Sequence, residues 1–69
     1  MKKMYPELRG LIKEHYDTQQ RFADKLGLSE VALSNKLNGN VQFKQDEISK
    51  TKEIFELTPE QVVSIFFAN

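Results

Sequence analysis

Apolar residues recur along this chain at helical spacing in short runs, and each run is bounded by residues that start or stop a helix. Tyr5, Leu8, Leu11, Ile12 and His15 fall on one side of a helical wheel, with Glu7, Arg9, Lys13 and Glu14 outside it. Pro6 suits a first helical position, because the N–H it lacks would be unpaired there. The pattern therefore predicts a helix over 6–15. Gly10 inside it costs the helix about 1 kcal/mol relative to Ala and is read as a close contact with another helix. His15, on the apolar stripe, is read as a partly buried structural residue. Thr18 is a natural cap for a second helix over 19–26, in which Phe22, Ala23 and Leu26 face inward and Gly27 ends the helix in a left-handed conformation. Ser29 caps a third over 30–37, anchored by Leu33 and Leu37 and stopped by the turn Asn38-Gly39-Asn40.

The second half follows the same logic. Phe43, in the connector, is expected to plug the core. A fourth helix over 45–56 turns Ile48, Thr51, Ile54 and Phe55 inward, and Asp46 and Glu47 in its first turn suit the helix dipole. Lys44 stands where Ser or Thr would be the natural cap. Thr58-Pro59-Glu60-Gln61 combines a cap, a first-position proline and a capping-box glutamine, which predicts a fifth helix over 59–67. Val62 to Phe67 is β-branched and aromatic and also reads as an extended tail, but the capping box favours helix. The expectation is an all-α, compact five-helix single domain over 1–69.

Composition narrows what such a domain does. A chain of 69 residues buries only about 60% of its unfolded surface and gains from good helix packing or a partner subunit. There is no Cys and one His, so disulfides are excluded and a zinc site would rest on carboxylates. No catalytic constellation, metal spacing or glycine-rich phosphate loop is present, so the chain is read as no enzyme, with no cofactor and no small-molecule substrate. No apolar run approaches the ~20 residues of a membrane span. Met1-Lys2-Lys3 resembles the start of a signal peptide, but no apolar stretch follows it. A soluble, cytoplasmic protein is expected. Net charge is zero, yet residues 18–44 hold four Lys/Arg against two Asp/Glu, and residues 45–69 hold two against five. The middle of the chain is thus mildly basic and its last third acidic, so one face could meet an anion while the total stays neutral.

The stretch Gln19-Gln20-Arg21-Phe22-Ala23-Asp24-Lys25-Leu26-Gly27-Leu28-Ser29, followed by Leu33 and Asn38-Gly39, resembles the helix-turn-helix of the lambda-repressor-like family, which includes phage Cro and repressor DNA-binding domains. The resemblance implies that the third helix enters the major groove of double-stranded DNA. Base-reading then falls to Glu30, Val31, Ser34 and Asn35: the carboxylate for cytosine N4, the valine for a thymine methyl, the amide for adenine N6 and N7. Phosphate contacts are expected from Thr18, Gln19, Lys36, Asn38, Asn40 and Lys44. Many relatives carry an apolar residue where Lys36 stands, and Leu37 is expected to take over that anchoring. Five apolar residues in the six from Val62 to Phe67 exceed what one face buries. Phe66 and Phe67 cannot both point inward, so Val63, Phe66 and Phe67 are expected at a homodimer interface, one phenylalanine closing the core. The functional expectation is a Cro/repressor-type transcription regulator that reads an operator with its third helix. The alternative is a helix-turn-helix module that binds a protein, a repressor or a toxin.

Overall fold

The computed structural model describes residues 4–67, and Met1-Lys2-Lys3 lies outside them. Five α-helices follow in order: α1 Pro6–Tyr16, α2 Gln19–Leu26, α3 Glu30–Leu37, α4 Gln45–Ile54 and α5 Pro59–Val62, the last continuing as one wider π turn over Val63–Phe67. No strand occurs among the described residues, so the C-terminal segment is helical rather than extended. No helix among the described residues is long and apolar enough to cross a membrane.

Local chemistry sets most helix boundaries. The Thr18 hydroxyl accepts from the Arg21 N–H at 3.3 Å, and the Ser29 hydroxyl from the Ala32 N–H at 3.1 Å. Thr58 and Gln61 complete a reciprocal box: Gln61 Oε1 accepts from the Thr58 N–H at 2.8 Å, and Thr58 Oγ1 from the Gln61 N–H at 3.2 Å. Three helices end in the same way. In α2, Leu28 N–H donates to Ala23 O at 2.8 Å and Gly27 N–H to Asp24 O at 3.2 Å. In α3, the same pair of bonds joins Asn40 to Asn35 and Gly39 to Lys36; in α4, it joins Leu57 to Lys52 and Glu56 to Glu53. This is the Schellman closure, which needs a left-handed residue at its pivot. Gly27 and Gly39 provide it without strain, at φ 79° and 81°, whereas α4 uses Glu56 at φ 52°. That pivot is why α4 stops at Ile54, before the expected 56. α1, in contrast, runs one residue past 15 to Tyr16.

The core gathers Leu8 and Ile12 of α1, Phe22, Ala23 and Leu26 of α2, Leu33 and Leu37 of α3, and Leu57, Ile65 and Phe66 from the C-terminal segment. Two aromatic groups extend it. Phe22 stacks on Phe55 with ring centroids 5.3 Å apart, and Tyr16 packs against both. Tyr5, Phe43 and Phe66 form the second group.

Tyr5 and Gly10 depart from expectation, and the places of His15 and Leu57 complete the picture. Tyr5 precedes α1 in a left-handed conformation instead of lying on its stripe. The His15 side chain is half exposed, its ring resting against Phe55 at 5.5 Å, so it is an edge residue. Gly10 makes no close helix contact: a Cβ there would meet nothing within 4 Å. Leu57 is buried although it follows a helix end, because the Schellman closure folds it back.

Candidate functional site

The α2–α3 corner turns the start of α3 outward. Leu33 and Leu37 are fully buried, which fixes the rotation of the helix. Glu30 and Val31 are then exposed, Val31 by 71%, and Ser34 and Asn35 are half-buried beside them. The four residues expected to read bases therefore share the outer side of one helix, with the two most accessible in its first turn. The Asn35 carbonyl also accepts from Asn40 N–H at 2.9 Å and Val41 N–H at 3.3 Å, so the turn after α3 is folded onto that helix.

The six residues expected at phosphates divide. Asn40 and Lys44 are exposed, and Gln19 is half-buried in the first turn of α2. Thr18 is exposed, but its hydroxyl oxygen serves the helix cap. Asn38 is exposed with its carbonyl oxygen already bonded by Arg9. Lys36 departs from expectation. It is 5% exposed, and its Nζ lies 2.9 Å from Glu47 Oε1 and donates to Gln42 O at 3.2 Å. A buried ammonium with a buried carboxylate beside it is held in place and unavailable to a phosphate. Lys36 and Leu37 are both interior, so Leu37 does not replace the usual apolar residue; the stem of Lys36 fills that place while its charge meets Glu47.

Glu47 also answers the missing cap of α4. Its Oε1 accepts from the Lys44 N–H at 2.8 Å, which is the glutamate half of a capping box, and Lys44 has no side-chain acceptor to return. Thr51, fully buried, donates to Glu47 O at 2.9 Å. One carboxylate thus ties the end of α3, the 38–44 connector and the start of α4.

Arg9 is a second tie that its place on the polar side of α1 concealed. Its Nη2 donates to Leu37 O at 3.0 Å and to Asn38 Oδ1 at 2.9 Å, and its Nε to Met4 O at 2.8 Å. A guanidinium at the C-terminal carbonyls of α3 is favourable with the helix dipole as well as the hydrogen bonds. The signals for Arg9 and Glu47 lie in long-range pairing, which one-dimensional spacing does not display. With Lys36 internal, the exposed charges of 18–44 are Arg21, Lys25 and Lys44 against Asp24 and Glu30.

Of the three residues expected at a dimer surface, Val63 and Phe67 are exposed, by 56% and 67%, and Phe66 is buried. The π turn separates the two phenylalanines: Phe66 closes the core between Tyr5 and Phe43, and Phe67 faces out.

An all-α domain with this corner has a family. The chain belongs to the family described as "Protein of unknown function (DUF739)", whose match spans residues 1–69. It is similar to the modulator of repression (MOR) of the temperate bacteriophage TP901-1 from Lactococcus lactis, known from a solution structure. The two are 43% identical, the match covers 97% of this chain and 90% of that one, and the TM-score is 0.80. No curated protein matches the chain.

Proposed function

We propose that this chain regulates transcription in a phage-type repression circuit by laying α3 in the major groove of operator DNA. The observation that carries the reading is the capped α2–α3 corner, which leaves Glu30 and Val31 exposed and Ser34 and Asn35 beside them on one helix face. Likeness to a phage modulator of repression agrees with a regulatory role. Asn35 would address adenine and Val31 a thymine methyl, with Gln19, Asn40 and Lys44 at phosphates. Among the described residues the longest principal-axis extent is 28 Å, less than the ~34 Å between successive major-groove faces. Two copies, joined through Val63 and Phe67, would span a palindromic site and double the few phosphate contacts.

Binding to a panel of operator variants tests the assignment. Asn35→Ala is expected to cost roughly 1 to 3 kcal/mol at one base pair, whereas Lys44→Ala weakens all sequences alike. Equal weakening of every sequence by Asn35→Ala would remove Asn35 from base reading. Sedimentation tests the pairing: a dimer that Phe67→Glu converts to monomer is expected, and identical monomer masses for both at high concentration count against it.

A second reading, in which the target is a repressor protein rather than DNA, is favoured by the internal Lys36, by Glu30 on the presenting face and by the zero net charge. Salt separates the two. Phosphate contacts give an affinity that falls steeply with salt, and a flat or absent DNA response beside tight capture of a purified repressor selects the second.

A further inference from the structure

A trough runs between α1 and the α4–α5 junction, built without any residue of α2 or α3. It holds about 430 Å³ over a floor of Leu11, Phe55, Leu57 and Ile65. Glu7, Glu14 and Glu56 form its rim, and no Lys or Arg lines it among the described residues. A second hollow, beside His15, Tyr16 and Ile54, adjoins it at Phe55 and Glu56. The rim carboxylates have neutral or distant partners: Glu7 accepts from Ser64 Oγ at 2.7 Å, and Glu14 lies 4.0 Å from the His15 ring nitrogen. No lysine or arginine pairs with any of the three among the described residues.

Gly10 also faces this trough. Packing within the chain does not require a glycine there, since a Cβ would stand in open space. A bare turn of helix beside an apolar floor is what close approach by a second helix needs.

From the apolar floor, the carboxylate rim and the bare Gly10, we infer that the trough docks a basic amphipathic helix of another protein. Apolar side chains of that helix, at helical spacing, cover Leu11, Phe55, Leu57 and Ile65. Its Lys and Arg meet Glu7, Glu14 and Glu56, and its backbone passes nearest at Gly10. A second copy of this chain does not supply such a helix. Of its exposed large apolar residues among the described ones, Met4 and Val41 lie outside the helices, Val31 stands alone on α3 beside Glu30, and Val63 and Phe67 lie in a segment, 53–67, with three glutamates and no Lys or Arg, which would set acid against acid. The docking is independent of what α3 binds.

The probe is a synthetic helical peptide of about four turns with Leu at core spacing and Lys elsewhere, titrated into the isotope-labelled full chain. Amide shifts are expected at Gly10, Leu11, Phe55, Leu57 and Ile65 and not along α3. A control peptide with Glu replacing Lys is expected to bind at least about tenfold more weakly. Gly10→Gln, which the open space accommodates without loss of fold, is expected to weaken the Lys peptide by about tenfold or more, because the new side chain occupies the approach. Asn35→Ala is expected to leave the peptide untouched, which separates this inference from the DNA reading. Shifts confined to α3, equal binding of both peptides, or undiminished binding to a folded Gly10→Gln chain would each overturn it.

Discussion

From Thr18 to Ser29 the groups that a helix end leaves unpaired find partners within a few residues: Thr18 with Arg21, Leu28 with Ala23, Ser29 with Ala32. From α3 onward such local closures continue, but further partners lie far off in sequence. Lys36 meets Glu47 across the connector, Arg9 reaches back from α1 to Leu37 and Asn38, and Ser64 donates to Glu7. The corner is thus assembled by short-range rules whose individual losses are modest, about 1 kcal/mol for a cap. The frame that holds α3 against the rest rests on fewer contacts with more at stake in each. α3 can therefore keep its local shape while its placement against the rest of the fold draws on distant groups, the buried Glu47 carboxylate and the Arg9 guanidinium, beside the burial of Leu33 and Leu37.

The largest expected effect follows from that carboxylate. Glu47→Ala would leave the Lys36 ammonium buried beside only the Gln42 carbonyl. Breaking a buried pair in this way costs roughly 3 to 5 kcal/mol. A domain of this size has little more than ~5 kcal/mol in total, so the variant is expected to keep only about 0 to 2 kcal/mol and to unfold at far lower denaturant. Joint replacement, Lys36→Met with Glu47→Leu, removes both charges and is expected to recover most of the stability, short of the lost cap at Lys44 N–H. Denaturant titration followed by helical circular dichroism measures both. A Glu47→Ala chain within about 1 kcal/mol of the parent would mean that Lys36 reaches water, and would return it to the phosphate candidates.

The same contrast explains which features spacing alone could deliver. Helix starts at 19, 30, 45 and 59 were legible because caps, prolines and first-turn acids act within one turn. The outward set on α3 followed from Leu33 and Leu37, whose burial leaves one rotation. Lys36 misled because a lone lysine at a helix flank usually faces water, and its partner belongs to another helix. Arg9 lay on the polar side of α1 by spacing, yet a long side chain can cross to a neighbouring helix end. Helix propensity registers the cost of Gly10 but not its surroundings, which are open. Helical spacing separates Phe66 from Phe67, but which of them turns inward depends on the π turn.

Within the short-range rules the chain contains its own controlled comparison, three Schellman closures with two kinds of pivot. At Gly27 the pivot is relaxed, and open space surrounds it, so substitution there tests backbone conformation alone. Gly27→Ala forces an L-residue to φ 79°, and left-handed backbone costs such a residue about 1 to 2 kcal/mol. Part of that is regained because alanine loses less freedom on folding, so a net loss of about 1 kcal/mol is expected in thermal or denaturant unfolding. An unchanged midpoint would imply that α2 closes in another way, and the aim of α3 with it.

The smallest effect has the opposite sign. Glu56 occupies at φ 52° the place that glycine holds in the other two closures. Glu56→Gly relieves that strain, less the entropy that glycine forfeits on folding, and is expected to stabilise the chain by roughly 0.5 to 1 kcal/mol. The strained residue also stands where the trough on α1 meets its neighbouring hollow, so its carboxylate reaches that place at a cost to the fold. If that carboxylate serves docking, Glu56→Gly should raise the unfolding midpoint while weakening the Lys-rich peptide, and Glu56→Gln should weaken the peptide with little change in stability. Stability and docking moving together in both variants would instead tie Glu56 to the α4 end alone, and the exception among the three pivots would be a matter of folding.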